Sequence, residues 1–262
     1  MKKHLSRIYL GVILAFMYLP IATLIFFSFN ESKNMAVWSG FSFHWYEKLF
    51  SDPVIGNAVW VTLSVALISA LAATLIGTLA AVGINSFRRR SRNTVLNITY
   101  IPMINADIVT GISLLLLFIF INMPRGYLTM LLAHITFNIP YVILAVLPKL
   151  TQMDPQTYEA ALDMGATPTY AVKKVVLPQI MPGIFTGFLL AFTMSFDDFV
   201  ISFFTTQGLT QNLSVYIYSM ARVGINPMIN ALSAIMFVIV ISLLMVVNLR
   251  TMKKYKVSAK RI

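Results

Sequence analysis

Residues 151–183 read TQMDPQTYEAALDMGATPTYAVKKVVLPQIMPG and separate two long apolar runs. Asp154 can cap a helix that begins at Pro155, and Gly165 can end that helix in a left-handed conformation. The pair Thr167-Pro168 repeats the start signal for a second short helix. The segment therefore predicts a structured protrusion of two capped helices joined at Gly165, because a flexible connector would need neither set of caps.

The composition around this segment is that of a membrane protein. Of the 262 residues, 58% are apolar and 11% are charged, and the mean hydropathy is +0.79. A soluble domain has about a quarter charged residues, so the soluble globular, disordered and coiled-coil classes are excluded. Cysteine is absent and the three histidines are scattered, which excludes a disulfide framework and a thiolate metal site and argues against a zinc site built from histidines.

Six apolar runs are long enough to cross a bilayer as helices. They are Ile8–Phe29, Val59–Ile84, Ile98–Ile121, Tyr127–Leu147, Met181–Thr205 and Met228–Leu249. Continuous runs of this length do not fit a β-barrel, whose strands are segments of about ten residues. The sequence thus predicts an all-α, polytopic protein with six transmembrane helices, in which residues 1–262 form a single transmembrane domain with a loop at about 150–180.

The basic residues predict the orientation of these spans. With the N-terminus inside, 16 of the 20 lysines and arginines fall on the cytoplasmic side, as the positive-inside rule requires. Both termini and the 150–180 loop are then cytoplasmic, and Leu177-Pro178 with Pro182 is expected to end the second loop helix before the chain re-enters the membrane. Topology therefore accounts for the net charge of +11 without nucleic acid. The Arg88–Arg92 cluster is interpreted as an orientation anchor, and contact with anionic membrane lipid stays open.

The second run carries small residues at four-residue spacing. They are Ala66, Ala70 and Thr74 in one row and Ala73, Gly77 and Ala81 in another. Small side chains allow helix backbones to approach closely, so this run is predicted to pack against another membrane helix rather than against lipid alone.

The loop also resembles a known family. Glu159-Ala160-Ala161, then Gly165, then Leu177-Pro178 follow the EAA–x3–G–x9–I–x–LP pattern of binding-protein-dependent ABC importer permeases, with Val175 in the isoleucine position. The resemblance implies that this loop is a coupling helix that docks on an ATPase subunit. The implied coupling residues are Glu159, Ala160, Ala161, Gly165, Leu177 and Pro178.

Three further stretches extend the resemblance over nearly the whole chain, and they are similar to permeases of the polyamine type. These are YLPIATLIFFSFN (18–30), PMINADIVTGISLL (102–115) and FTMSFDDFVISFF (192–204). The resemblance implies the type I ABC importer permease fold, a place in the bacterial cytoplasmic membrane, and translocation of spermidine or putrescine into the cytoplasm. It also implies partners: a cytoplasmic ATPase dimer, a second related permease in a heterodimer, and an extracytoplasmic substrate-binding protein. ATP and Mg²⁺ would be bound by the ATPase, so no cofactor is expected in this chain.

The chain carries no motif for energy conversion or catalysis. No G-x-x-x-x-G-K-[ST] phosphate loop is present, so we expect a non-catalytic subunit whose partner hydrolyses ATP. His134 lies within the fourth run without an acidic neighbour in sequence, and we interpret it as a helix–helix hydrogen bond rather than a catalyst.

Three acidic residues fall inside the predicted spans: Asp107, Asp197 and Asp198. A carboxylate at the bilayer centre costs at least about 2.5–3.5 kcal/mol, so each is expected to face a cavity or a partner. A polyamine suits carboxylates interleaved with aromatic faces, so the predicted substrate path comprises these acids with Phe196 and Tyr141.

Alternatives remain for each acid. Asp107 follows Pro102 and Asn105 and can instead cap a broken helix. Asp197 and Asp198 would lie about 100° apart on one helix, so one can line the path while the other bonds a neighbouring helix.

Rival functions remain as well. A self-sufficient transporter coupled to protons or cations would explain the acids but not the capped loop. A membrane enzyme would lack a metal or nucleophile constellation, and an ABC permease for a different small solute would carry a similar loop. Homodimeric and heterodimeric pairing cannot be separated on this sequence pattern.

Overall fold

The structure, a computed structural model, describes residues 2–33, 37–208, 210–224, 227–239, 241–242 and 245. The chain divides into two compact units, one formed by Met1–Gly56 with Ile217–Ile262 and the other by Asn57–Tyr216. The basic C-terminal stretch, residues 250–261, on which part of the predicted orientation rests, lies outside the described residues.

The described residues are almost entirely helical, with no named strand and one isolated antiparallel bridge between Asn30 and Phe41. The helices are α1 (Lys2–Phe27), α2 (His44–Ser51), α3 (Pro53–Ser86), α4 (Arg89–Ile104), α5 (Asp107–Phe120), α6 (Tyr127–Gln152), α7 (Pro155–Asp163), α8 (Pro168–Ala171), α9 (Leu177–Phe196), α10 (Val200–Thr205), α11 (Leu213–Val223) and α12 (Pro227–Ile239). A π-helical turn, Val172–Val176, joins α8 to α9.

Four stretches of helix are long and apolar enough to span a membrane within the described residues. They are Arg7–Phe27, Pro53–Ser86, Tyr127–Gln152 and Pro168–Phe196. The predicted third span is not one straight helix, because α4 and α5 meet at an angle of 100° across Asn105 and Ala106, both of which have extended backbone. Of the predicted sixth span only the part up to 239, with 241–242 and 245, is described, so the count of six spans stays a prediction.

Two expectations about the fifth span were wrong. Leu177-Pro178 does not end the second loop helix, because the π-helical turn leads from α8 directly into α9, and the Leu177 N–H donates to the carbonyl of Val172. A proline supplies no N–H, and a turn with i to i−5 bonds carries the helix past this gap. The span also does not run unbroken to Thr205, since α9 ends at Phe196 and α10 begins at Val200.

The core of the second unit is a close packing of α3, α6 and α9. Val142 of α6 lies between two glycines: a Cβ added at Gly77 would come within 2.8 Å of the Val142 Cβ, and one added at Gly187 within 3.2 Å of its Cγ1. Ala70 and Ala73 of α3 are fully buried in the same cluster. The predicted packing of the small residues of the second run against another helix is therefore confirmed.

The first unit contains a compact turn between α1 and α2. Asn30 is 1% exposed, donates its Nδ2 to the Val37 carbonyl at 2.8 Å and accepts the indole N–H of Trp45 on its own carbonyl at 2.7 Å. These bonds satisfy the backbone where the chain leaves the end of an apolar helix.

Candidate functional site

The loop between α6 and α9 has the shape that its caps predict. The Asp154 side chain accepts a hydrogen bond from the Gln156 N–H at 3.0 Å, one residue before α7 starts. Gly165 has φ +87°, the left-handed conformation that ends this helix. Thr167 Oγ1 accepts from the Tyr170 N–H at 3.4 Å and caps α8. The prediction of two capped helices joined at Gly165 is confirmed.

The two faces of this loop differ in what they contact. Tyr158 and Val172 pack against the apolar core of the second unit, so the loop is attached to the helices beneath it. Glu159 and Ala160 are exposed, and the side chain of Met164 is 90% exposed. An exposed methionine beside alanines is a surface suited to close packing with another protein.

An open pocket of about 540 Å³ lies beside the left-handed glycine. It is lined by Ala161, Met164, Gly165, Ala166, Thr167 and Tyr170. Four of the predicted coupling residues thus lie at this pocket or next to it, on the α7 side of the loop: Glu159, Ala160, Ala161 and Gly165. The last two lie elsewhere: Leu177 packs against the core at the start of α9, and Pro178 is exposed.

The break between α9 and α10 is shaped by Asp198. One carboxylate oxygen accepts the Ile201 N–H at 3.2 Å, and the other accepts the Ser202 N–H at 2.7 Å and the Ser202 hydroxyl at 2.9 Å. The side chain is 10% exposed. Asp198 therefore caps α10, which supplies an acceptor for N–H groups that have no partner within the helix.

His134 of α6 faces this break from the neighbouring helix. It is 1% exposed; its Nδ1 hydrogen-bonds to the Ser195 hydroxyl, and its Nε2 lies 3.0 Å from the Ser202 hydroxyl and 3.4 Å from the Asp198 carboxylate. The prediction of a helix–helix hydrogen bond at His134 is confirmed. Its acidic neighbour is remote in sequence but adjacent in space.

Three further polar residues extend the cluster. Asn212, just before α11, donates its Nδ2 to the Asp198 carbonyl at 2.7 Å and to the Ser202 hydroxyl at 2.8 Å. On the other side, the Ser69 hydroxyl of α3 lies 3.0 Å from the Ser195 hydroxyl, and Asn138 Nδ2 donates to Ser69 at 3.5 Å. We call the set Ser69, His134, Asn138, Ser195, Asp198, Ser202 and Asn212 the polar cluster.

The structure separates the predicted path residues. Asp197, at the C-cap of α9, and Asp107, the first residue of α5, are exposed, whereas Asp198 is held in the polar cluster. The geometry assumed for the pair was wrong, since the two aspartates lie at a helix break and not on one helix. Phe196 is 8% exposed and stacks on Phe192 with centroids 5.8 Å apart.

Tyr141 and α5 both lie close to α10. Tyr141 is half-buried, 5.2 Å from the ring of Phe137, in a cluster that includes Ile201 of α10. α5 packs on α10 at Gly111, where an added Cβ would come within 2.8 Å of Phe204. The helix is broken just before Asp107 as considered, but Ala106 occupies the cap position and no side chain caps α5.

Sequence reasoning missed most of the polar cluster. Ser69, Ser195 and Ser202 are single serines in apolar runs, and such residues commonly bond to their own helix. Two signals in the sequence pointed to this site: the polar residue His134 within the fourth apolar run, and the adjacent aspartates Asp197 and Asp198 within the fifth.

A helical membrane domain with a capped protrusion, and with carboxylates at a break between apolar helices, has the organisation of a permease, the membrane-spanning subunit of a transporter. Comparison with known proteins identifies its family. The chain belongs to the binding-protein-dependent transport system inner membrane components, whose family model matches residues 73–253. It is therefore a permease of an ABC importer and a multi-pass protein of the cytoplasmic membrane.

Two curated relatives match most of the chain. The spermidine/putrescine transport system permease protein PotC of Haemophilus influenzae is 35% identical over 249 residues, which cover 95% of this chain and 97% of that protein. The putrescine transport system permease protein PotI of Escherichia coli K12 is 41% identical over 227 residues, 84% of this chain and 81% of that protein. These identities confirm the predicted resemblance to permeases of the polyamine type.

A solved structure shows the same fold. A chain of a bacterial ABC transporter involved in the import of the acidic polysaccharide alginate superposes with a TM-score of 0.72 at 20% identity, covering 95% of this chain and 94% of that chain. The predicted all-α fold of type I ABC importer permeases is thereby confirmed. Because the family transports with a binding protein, a self-sufficient secondary transporter and a membrane enzyme are not supported.

Proposed function

We propose that this chain translocates polyamines, spermidine or putrescine, into the cytoplasm as one of two permeases of an ATP-driven importer. The observation that carries the proposal is the end-to-end similarity to a spermidine/putrescine permease, 35% identity over 95% of this chain. A match of this extent spans the segments that hold the loop, the broken helices and the acids.

The chemistry of the broken helices supports a cationic substrate. Polyamines carry ammonium groups separated by methylenes, so they pair with carboxylates and lie along aromatic faces. Asp107 and Asp197 are exposed at the starts and ends of broken helices. Tyr141 is half-buried on α6, which packs against α10 next to the second break.

The partner subunits follow from the same proposal. The surface of Glu159, Ala160, Ala161 and Gly165 docks on one subunit of a cytoplasmic ATPase dimer, which binds ATP and Mg²⁺ and performs the hydrolysis. A second, related permease completes a heterodimer, and an extracytoplasmic binding protein delivers the substrate. Both termini lie in the cytoplasm, as the distribution of basic residues favours.

Uptake measurements test the proposal. We expect cells that lack their own polyamine uptake to accumulate labelled spermidine or putrescine when this chain is expressed with its partner subunits. Collapse of the proton gradient at constant ATP should leave most of this uptake intact. Loss of uptake under those conditions would favour proton coupling through the aspartates, and uptake of another solute in place of polyamines would contradict the substrate.

Copurification tests the assembly. Isolation of the intact complex from its native membrane, followed by mass spectrometry, should recover an ATPase, a second permease and a bound polyamine. Recovery of this chain paired only with itself would contradict the heterodimer while leaving the transport proposal intact.

A further inference from the structure

The break between α9 and α10 places two adjacent carboxylates in opposite situations. The oxygens of Asp198 accept three hydrogen bonds from Ile201 and Ser202, and its side chain is 10% exposed. Asp197 is the C-cap of α9 and is exposed. The Asp198 carboxylate is thus largely buried and already occupied by groups that hold α10, whereas the Asp197 carboxylate is accessible to an approaching ammonium group.

The hydrogen bonds around His134 are mutually consistent for the tautomer that carries its proton on Nε2. An ionised Asp198 only accepts, so the Ser202 hydroxyl donates to it; Ser202 Oγ then accepts from Asn212 Nδ2 and from His134 Nε2. In this tautomer Nδ1 of His134 accepts, and the Ser195 hydroxyl donates to it.

The polar contacts continue into α3. The Ser69 hydroxyl lies 3.0 Å from Ser195 Oγ, also donates to the Ala66 carbonyl at 3.3 Å, and accepts from Asn138 Nδ2. A connected set of polar side chains therefore runs from α3 and α6 to the Asp198 carboxylate. Within this set His134 joins Ser195 to Ser202, so its removal breaks the side-chain connection from Ser69 to the Asp198 carboxylate.

A helix that is broken at membrane depth depends on such outside bonds. The backbone groups freed at a break have no water to bond to and must be satisfied by neighbouring side chains. Here Asp198 accepts the N–H groups of Ile201 and Ser202, and Asn212 donates to the Asp198 carbonyl. His134 bonds the side chains around this break from a distance in sequence, 61 residues from Ser195 and 68 from Ser202. We therefore expect the contacts with α6 to set the orientation of the Asp197 side chain.

We propose that His134 is a positioning residue of the substrate path: through Ser195, Ser202 and Asp198 it fixes the break so that the Asp197 carboxylate faces the path and the Asp198 carboxylate does not. The role assigned to Asp197 rests on the proposed polyamine transport. The part played by His134 in orienting the break does not.

A labelling experiment measures the orientation directly. The natural chain has no cysteine, so Asp197→Cys introduces a single thiol into it. In the assembled importer in nanodiscs, the rate of modification by a cationic methanethiosulfonate is followed from the intact mass of this chain. Loss of the two imidazole hydrogen bonds in His134→Leu should slow this rate about tenfold. His134→Gln retains a donor toward Ser202 and should stay within about threefold of the parent rate.

Transport provides the second measurement. His134→Leu should lower the maximal uptake rate about tenfold, with the half-saturating concentration of binding protein unchanged within about twofold. Because His134 acts through Asp197, the double variant His134→Leu with Asp197→Asn should transport no more slowly than Asp197→Asn alone. His134→Gln should restore most of the uptake.

The outcomes separate the two proposals. An unchanged or faster labelling rate in His134→Leu, or a double variant whose defect is the product of the single defects, overturns the positioning role. If His134→Leu is not recovered as a complex, Ser195→Ala, which removes the partner of Nδ1, carries the same comparison and the same expected slowing. If the parent importer moves no polyamine, the proposed function fails, and the labelling rates still decide the role of His134.

Discussion

Two regions of the second unit interrupt a helix, and they do so by different means. In the loop around Gly165 the hydrogen bonds that cap the helices are local. Asp154 accepts from the N–H of Gln156, two positions on, and Thr167 accepts from the N–H of Tyr170, three positions on. At the break after Phe196 the cap is local too, since Asp198 accepts from Ile201 and Ser202, but remote partners are added, with Ser195 bonded to residues 61 and 126 positions away.

The difference determines what a substitution does in each region. The loop keeps its shape from its own sequence and offers its outer face to another molecule, so changes on that face should affect function with little effect on folding. The break has partners on α3 and α6 in addition to its local cap, so changes there should affect the stability of the chain and the transport path together.

The largest loss of stability is expected at the break. Asp198→Ala removes the acceptor of two backbone N–H groups and of the Ser202 hydroxyl, and it leaves His134 buried beside a cavity. A buried donor left without an acceptor costs about 1–3 kcal/mol, so loss of the acceptor for three donors should cost at least about 3–5 kcal/mol. We expect a decrease of this size in the free energy of unfolding, measured by reversible unfolding in mixed micelles.

Asp197→Ala is the matched control, because the same change is made one residue earlier at an exposed position. Its effect on unfolding should stay within about 0.5 kcal/mol. Equal destabilisation by the two substitutions would contradict the distinction between the two carboxylates.

The second prediction concerns the outer face of the loop. Ala161 lines the pocket beside Gly165, and a tryptophan there would fill the space that a docked ATPase needs. Ala161→Trp should reduce uptake and substrate-stimulated ATP hydrolysis about 100-fold, which corresponds to roughly 2.7 kcal/mol of lost docking or coupling. Membrane insertion and the stability of the isolated chain should be retained.

Ala161→Ser adds one oxygen atom at the same position and should transport normally. Gly165→Pro should match the tryptophan variant for another reason, because proline cannot adopt φ +87° and would unlink the two loop helices. Full transport by Ala161→Trp would exclude docking at this surface.

The regions also differ in how far the sequence predicted them. Asp154, Gly165 and Thr167 act on residues next to them, so their types and spacing predicted the loop correctly, and composition predicted the membrane class. The end of the second loop helix at Leu177-Pro178 was wrong because a π-helical turn replaces the expected stop, an adjustment that proline position alone does not reveal.

The remote contacts of the break were not predicted, because the partner residues lie in other helices. Nothing in residues 192–204 shows that Ser195 meets Ser69, or that His134 lies against Asp198; these pairs are created by the packing of α3, α6 and α9. The three acids were found from their cost in a bilayer, but the roles of Asp197 and Asp198 could be separated only with the partners of Asp198 in place.

The third prediction sharpens the separation of the acids in transport. Asn keeps the size of Asp and removes its charge, and a lost charge-assisted contact to an ammonium group costs about 1.5–3 kcal/mol. Asp107→Asn and Asp197→Asn should therefore lower the maximal rate of spermidine or putrescine uptake about tenfold or more. The binding protein should set the apparent affinity, which should change little.

Asp198→Asn provides the internal comparison, because its defect should include lower stability as well as slower uptake. ATPase docking should be unaffected in all three variants. If all three transport normally, the acids are structural and the argument for a cationic substrate fails, while the family assignment remains.

The smallest expected effect concerns Asp154 and Asp198, the two aspartates that accept N–H groups at the start of a helix. It tests whether exposure and the number of bonds explain their different contributions to stability. Asp154 and Asp198 both accept a backbone N–H at the start of a helix, but Asp154 is exposed and bonds only within its own turn. Loss of an exposed N-cap costs about 1 kcal/mol, since water replaces the lost acceptor. Asp154→Ala should thus lower the free energy of unfolding by about 1 kcal/mol, against about 3–5 for Asp198→Ala, in the same unfolding measurement. Asp154→Asn, which keeps a side-chain acceptor, should restore most of the difference. If Asp154→Ala destabilised the chain as strongly as Asp198→Ala, the loop would depend on contacts beyond its own sequence, and the contrast between a locally and a remotely determined interruption would not hold.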